Sequence, residues 1–153
     1  VVGLDGETVE AQRPPSSELP MHLAVYRTTD AAAIVHTHAP YATALATVVD
    51  ELPAIHYMIA ELGGPVRVAA YATFGTDELA GSVMEALDGR SAVLLGSHGT
   101  LTIGETLGQA YWRSVLLEWL ATLYFRATLL GEPRLLAADE IELVAARLRA
   151  IKG

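Results

Sequence analysis

The sequence predicts a layered α/β domain, and three features carry that expectation. Short apolar runs bounded by glycine alternate with longer segments whose apolar residues recur every three or four positions, the pattern of strands packed between helices. The chain has 153 residues, the length of one domain with a full core. Apolar residues make up 52% of it and charged residues only 18%, far from the composition of a disordered chain.

In chain order, Val1–Leu4 and Glu7–Glu10 flank Asp5-Gly6, a favourable hairpin turn. Arg13-Pro14-Pro15-Ser16-Ser17-Glu18 is turn-rich and leads into a periodic segment. A helix capped by Ser16 or Ser17, with Glu18 in its first turn and Pro20 tolerated there, is expected to run to about Thr28. Ala33–His38 reads as a short buried strand, followed by a small helix over about Tyr41–Val48. Val66–Ala69 and Ser91–Leu95 are further strands. Between them, Thr76 caps a helix carrying Leu79, Val83 and Leu87 and stopping at Gly89. A long helix over about Glu105–Leu130 is expected to pack with Leu107, Tyr111, Val115, Trp119 and Leu123 on one face. Gly131 and Pro133 end it, and a last helix covers about Asp139–Ile151. Antiparallel hairpins are expected to contribute to the sheet.

The formal charge of −8 gives no attraction for nucleic acid or anionic membrane, so an anionic ligand needs a local pocket of donors. There is no cysteine, so any metal site must consist of histidine and carboxylate. The most apolar stretch, Val115–Phe125, is too short to span a bilayer and contains Glu118. Nothing resembles a signal peptide, and a cytoplasmic protein is expected. The chain opens on Val1, which reads as the start of a fragment. The apolar excess points to surface buried against other subunits.

His36 and His38 are the sharpest chemical signal. Two residues apart on a strand they share a face at roughly 6.6 Å along the chain, and imidazoles at that spacing can converge on one metal ion. A pair of hydrogen-bonded histidines at a strand end is the alternative. His98 follows the Ala92–Leu95 run in Gly96-Ser97-His98-Gly99, where a strand end delivers either a third ligand or a structural turn histidine. Glu18 reads as a helix-dipole complement or as a fourth ligand that departs and then moves a proton. Ser16 and Ser17 read as caps or as a phosphate site at an exposed helix N-terminus. Tyr57 reads as core, His22 and His56 as ordinary hydrogen-bonded histidines, and Tyr111, Trp112 and Trp119 as helix packing.

Taken in order, Ser16-Ser17-Glu18, His36-Thr37-His38, Ile55–Ala60, Tyr71–Thr76 and His98-Gly99 resemble the class II aldolase/adducin family over nearly the whole chain to about residue 145. The resemblance implies a three-layer α/β/α domain over 1–153 with a mixed, largely antiparallel sheet. It implies that His36, His38 and His98 ligate zinc (or another divalent metal), that Glu18 is a further ligand and the acid/base, and that Ser16 and Ser17 hold the substrate phosphate. Tyr57 would reach across a subunit boundary to the oxygen of the aldehyde carbon, and Phe74 would lie near the aldehyde, in a cyclic homotetramer with active sites between neighbours. The implied activity is cleavage of an L-fuculose 1-phosphate-like ketose 1-phosphate to dihydroxyacetone phosphate and an aldehyde through a zinc-stabilised enediolate. Lys152 is the only lysine, which argues against a Schiff-base route. Related chemistries are a sugar-phosphate 4-epimerase and a methylthioribulose-phosphate dehydratase; an adducin-like scaffold without catalysis is the non-enzymatic alternative. Family members carry upstream phosphate-binding loops, so this chain is expected to lack an N-terminal portion. It also ends Leu148–Gly153 without the aromatic residues of the fuculose-cleaving enzymes.

Overall fold

The computed structural model describes residues 1–152. In chain order its helices and strands are α1 (Leu19–Thr28), β1 (Ala33–Thr37), α2 (Pro40–Leu45), β2 (Glu51–Leu52), a 3₁₀ helix (Tyr57–Leu62), β3 (Val66–Ala69), α3 (Asp77–Leu87), β4 (Ala92–Leu95), β5 (Gly99–Gly104), α4 (Leu107–Leu130) and α5 (Ala138–Lys152). The strands form one sheet in the order β1-β5-β4-β3-β2. Only β3 and β4, joined through α3, pair in parallel; the other neighbours are antiparallel. This is the mixed, largely antiparallel sheet that the resemblance implies.

Side-chain alternation along the central strand builds the layers. On β4, Val93 and Leu95 enter a core with Met21 and Val25 of α1 and Leu79 and Val83 of α3. Ala92 and Leu94 face the other way, onto Leu117 and Leu120 of α4 and Ile59 of the 3₁₀ helix. All four β4 residues are fully buried, so the strand reads as an unbroken apolar run.

Several elements differ from expectation for physical reasons. The α1 helix starts one residue later than a serine cap would give: Glu18 is the N-cap residue, and Ser16 Oγ accepts the Glu18 N–H at 3.2 Å. The Val1–Glu10 hairpin is reduced to a single bridge, Val2 to Thr8. The strand β5 was not foreseen. On α4 the expected packing face is the outer one: Leu107, Tyr111, Val115 and Trp119 are exposed, while Ala110, Ser114, Leu117 and Ala121 turn inward. Small residues let the helix approach β5, where Thr102 Oγ1 donates to the Ala110 carbonyl at 2.8 Å. Among the described residues no helix is long and apolar enough to cross a membrane.

Candidate metal centre

Because β1 and β4 are both antiparallel to β5, they run in the same direction and end at the same edge of the sheet. His36 is paired with Leu101, which belongs to the α1/α3 core, so its side chain faces that layer. His38 lies one residue beyond β1. His98 lies in the three-residue turn between β4 and β5, where Ser97 adopts a positive φ of 52° and the His98 N–H donates to the Leu95 carbonyl at 3.1 Å. The N-terminus of α1 brings Glu18 over this edge.

The four side chains converge. Glu18 Oε2 is 2.7 Å from His36 Nε2, and Glu18 Oε1 is 2.8 Å from His98 Nε2. His36 Nε2 and His38 Nε2 are 3.1 Å apart. One ligand atom from each of the four lies within 4.8 Å of every other. The three rings stand at 61–79° to one another with centroids 4.9–5.0 Å apart, like vanes around a common axis.

The protonation pattern shows what this arrangement suits. His36 Nδ1 lies 2.8 Å from the Thr100 carbonyl, which can only accept, so Nδ1 carries the proton and the Nε2 lone pair points inward. Burial, the largest effect, holds His36 below its ordinary pKa. The neighbouring His98 and His38 push the same way, against the Thr100 carbonyl and Glu18. His36 Nε2 thus faces a carboxyl group that is only 8% exposed. Three imidazole nitrogens and a carboxylate converging in this way form a donor set that suits zinc, manganese or cobalt. The Thr100 carbonyl on the ring's far side is the usual device that orients a metal-bound histidine.

Two glycines make room for the convergence. A Cβ at Gly99 would lie 2.3 Å from the Thr37 carbonyl oxygen and 2.8 Å from His38 Cδ2. At Gly75, with φ of +78°, a Cβ would lie 2.6 Å from the Ser17 carbonyl oxygen, so the loop after β3 seats the turn that presents Glu18.

Around the donors is a cleft of about 580 Å³ walled by Ser16, Ser17, Tyr71, Phe74 and Ser97. The structure therefore gathers Ser16, Ser17 and Phe74 beside the three histidines and Glu18. Tyr57 does not line the cleft; it is 48% exposed on the opposite layer, its ring 4.5 Å from that of His56. His56 Nδ1 accepts the Met58 N–H at 3.2 Å, an ordinary capping role. Burial lowers the His22 pKa against the pull of Glu18, and its ring lies 6.3 Å from that of His36. Sequence reasoning did not single out the Thr100 carbonyl, because its role depends on a strand register that spacing alone does not reveal.

Comparison with known proteins decides the family. Residues 1–125 match the Class II Aldolase and Adducin N-terminal domain. The chain belongs to the class II aldolase/adducin family. Within that family, 5-deoxy-D-ribulose 1-phosphate aldolase of Bacillus thuringiensis serovar kurstaki is 44% identical over 146 residues, 95% of this chain and 68% of that protein. L-fuculose phosphate aldolase of Escherichia coli K12 is 41% identical over 143 residues, 92% of this chain and 66% of that protein. A solved structure of L-fuculose 1-phosphate aldolase superposes with a TM-score of 0.93 at 45% identity, covering 97% of this chain and 70% of the other. The chain spans about two thirds of the length of these relatives.

Proposed function

We propose that the protein is a divalent-metal-dependent aldolase that cleaves a ketose 1-phosphate to dihydroxyacetone phosphate and an aldehyde. The observation that carries the reading is the inward-facing set of His36, His38, His98 and Glu18 at the floor of a cleft large enough for a small sugar phosphate. The aldolase names of its relatives support the same reaction class.

In this reading His36, His38 and His98 hold the cation, most suitably Zn²⁺. When bound, it supplies Lewis-acid stabilisation of the enediolate charge that develops on the C2 and C3 oxygens. Ser16 and Ser17, beside the positive end of α1, receive the phosphate. Tyr57 of a neighbouring subunit relays the proton from the C4 hydroxyl to water as the C3–C4 bond breaks, and C4 leaves as the aldehyde carbon against Phe74. Glu18 takes up a proton from water once it leaves the histidines and delivers it to C3, completing dihydroxyacetone phosphate. For this it must swing clear of the histidines into the cleft that it lines.

An exposed apolar stripe supports the proposed assembly into a homotetramer. Leu107, Tyr111, Trp112, Val115 and Trp119 leave an apolar stripe exposed along α4, and the Trp119 ring lies 4.9 Å from His56, next to Tyr57. Covering such a stripe favours association by about 25 cal/mol per Å².

The test is an assay of the full-length, metal-loaded protein on a panel including L-fuculose 1-phosphate and 5-deoxyribulose 1-phosphate, reading release of dihydroxyacetone phosphate. Glu18→Gln should keep the metal and lose roughly 10²–10⁴-fold in turnover and in C3 proton exchange. Wild-type exchange in that variant would remove Glu18 from the proton transfer. Epimerised pentulose phosphate without release of dihydroxyacetone phosphate would replace the aldolase reading with the epimerase.

A further inference from the structure

Glu118 is an acidic residue inside the most apolar stretch of the chain, on the side of α4 that faces α2, and the reaction above makes no use of it. Its carboxylate crosses to the start of α2: Oε1 accepts the Tyr41 N–H at 3.0 Å and Oε2 accepts the Ala42 N–H at 2.8 Å. These are backbone donors that a helix N-terminus leaves without partners, and they are usually satisfied by a serine, threonine, aspartate or asparagine at the cap. Here the cap residue is Ala39, which has no side chain to do so. Glu118 is thus a cap supplied from another helix, and its negative charge sits against the positive end of α2.

The start of α2 matters because only His38 and Ala39 separate it from β1. Among the three histidines, His36 is oriented by the Thr100 carbonyl. For His38, the one hydrogen bond found among the described residues is the contact with His36 itself. His38 is exposed at the cleft, with Gly99 beside its ring. Its direction is therefore inherited from its backbone, which is pinned by β1 before it and by α2 after it. We propose that Glu118 is a positioning residue for the metal centre, holding His38 in ligand geometry through the N-terminus of α2. This rests on the reading that the four donors bind a divalent metal.

The experiment is a Co²⁺ titration of the full-length protein, followed by the visible absorption of the bound ion, on wild type, Glu118→Gln and the double variant Glu118→Gln/Ala39→Ser. Glutamine keeps the shape but puts an NH₂ group where a second acceptor is needed. Serine at position 39 restores a local acceptor for one of the same two amides. Glu118→Gln should weaken Co²⁺ binding on the order of 10-fold, the range found when groups supporting metal ligands are removed. It should also alter the ligand-field spectrum and speed hydrogen exchange at Tyr41 and Ala42, and Ala39→Ser should recover the affinity and the spectrum and slow exchange at the amide it caps. Unchanged Co²⁺ affinity in Glu118→Gln overturns the inference while leaving the metal site standing. So does a loss of affinity that Ala39→Ser fails to restore. A wild-type protein that binds no Co²⁺ overturns the inference and the metal site together.

Discussion

Replacing Gly99 by alanine tests the steric basis of the site with a single methyl group. The new Cβ would sit 2.3 Å from the Thr37 carbonyl oxygen, where contacts shorter than 3.0 Å essentially never occur. The difference, 3.0 minus 2.3, requires a separation of about 0.7 Å between the ends of β1 and β5. That shift falls on the residue before His38, and the His38 ring itself must give way, since its Cδ2 would be only 2.8 Å from the methyl. A functional constellation tolerates displacements of about 0.5 Å, and metal–ligand distances vary by only about 0.2 Å. Gly99→Ala is therefore expected to cost about 1–3 kcal/mol of stability, as overpacking does, and to weaken metal binding on the order of 10–100-fold. Competition with a chromophoric chelator measures the second effect, and urea melts of metal-free protein measure the first. The control is Gly81→Ala, in the middle of α3, where a Cβ would meet nothing within 4 Å. That change should leave the metal site alone and stabilise the helix by about 0.5–1 kcal/mol. Wild-type metal affinity in Gly99→Ala would refute the claim that this close approach holds His38 in place.

Further expectations concern pH and assembly. Burial holds the pKa values of His22 and His36 below the ordinary 6.5, so between their folded values and 6.5 the unfolded chain binds more protons than the folded one. Stability of the metal-free protein is then complete above pH 6.5 and declines as the pH falls through the folded values, a trend that urea melts at a series of pH values would show; stability that is flat or rises on acidification would contradict it. For the proposed assembly, Trp119→Glu on the exposed stripe of α4 should lower the mass read by light scattering while circular dichroism stays native, and activity should fall with association. A monomer of that variant with full activity would remove Tyr57 from the neighbouring site.

The parts legible in the sequence are those that local chemistry specifies. Thr76 accepts the Leu79 N–H and starts α3 as its residue type predicts, and Val66–Ala69 is a strand with the bounds its apolar run suggests. The His36-x-His38 spacing was informative because strand parity needs no knowledge of the neighbouring strands. Register was not legible, and with it went β5, whose Thr100 and Thr102 are buried despite being polar. Those threonines are tolerated because Thr100 Oγ1 pairs with Thr37 Oγ1 at 2.9 Å and Thr102 bonds α4. The orientation of α4 failed for another reason. Its apolar residues run all round the helix, so the stripe of large ones through Tyr111, Val115 and Trp119 marked a face left bare, while the core face mixes Ala110, Ser114 and Ala121 with Leu116, Leu117 and Leu120. Glu118 stood out in the sequence only as a charge in an apolar run, because its partners lie on a helix 76 and 77 residues away in sequence.

The proposed function stands on Glu18, His36, His38 and His98 holding one divalent cation. X-ray absorption at the zinc edge, on protein reconstituted with one equivalent of Zn²⁺, tests it most directly. One tightly bound ion per chain is expected, with three imidazole nitrogens at about 2.0–2.1 Å and carboxylate oxygen at about 2.0–2.2 Å. The imidazole signal should drop by one ring in His98→Ala. A first shell made of oxygen alone, or a spectrum unchanged by His98→Ala, would contradict it.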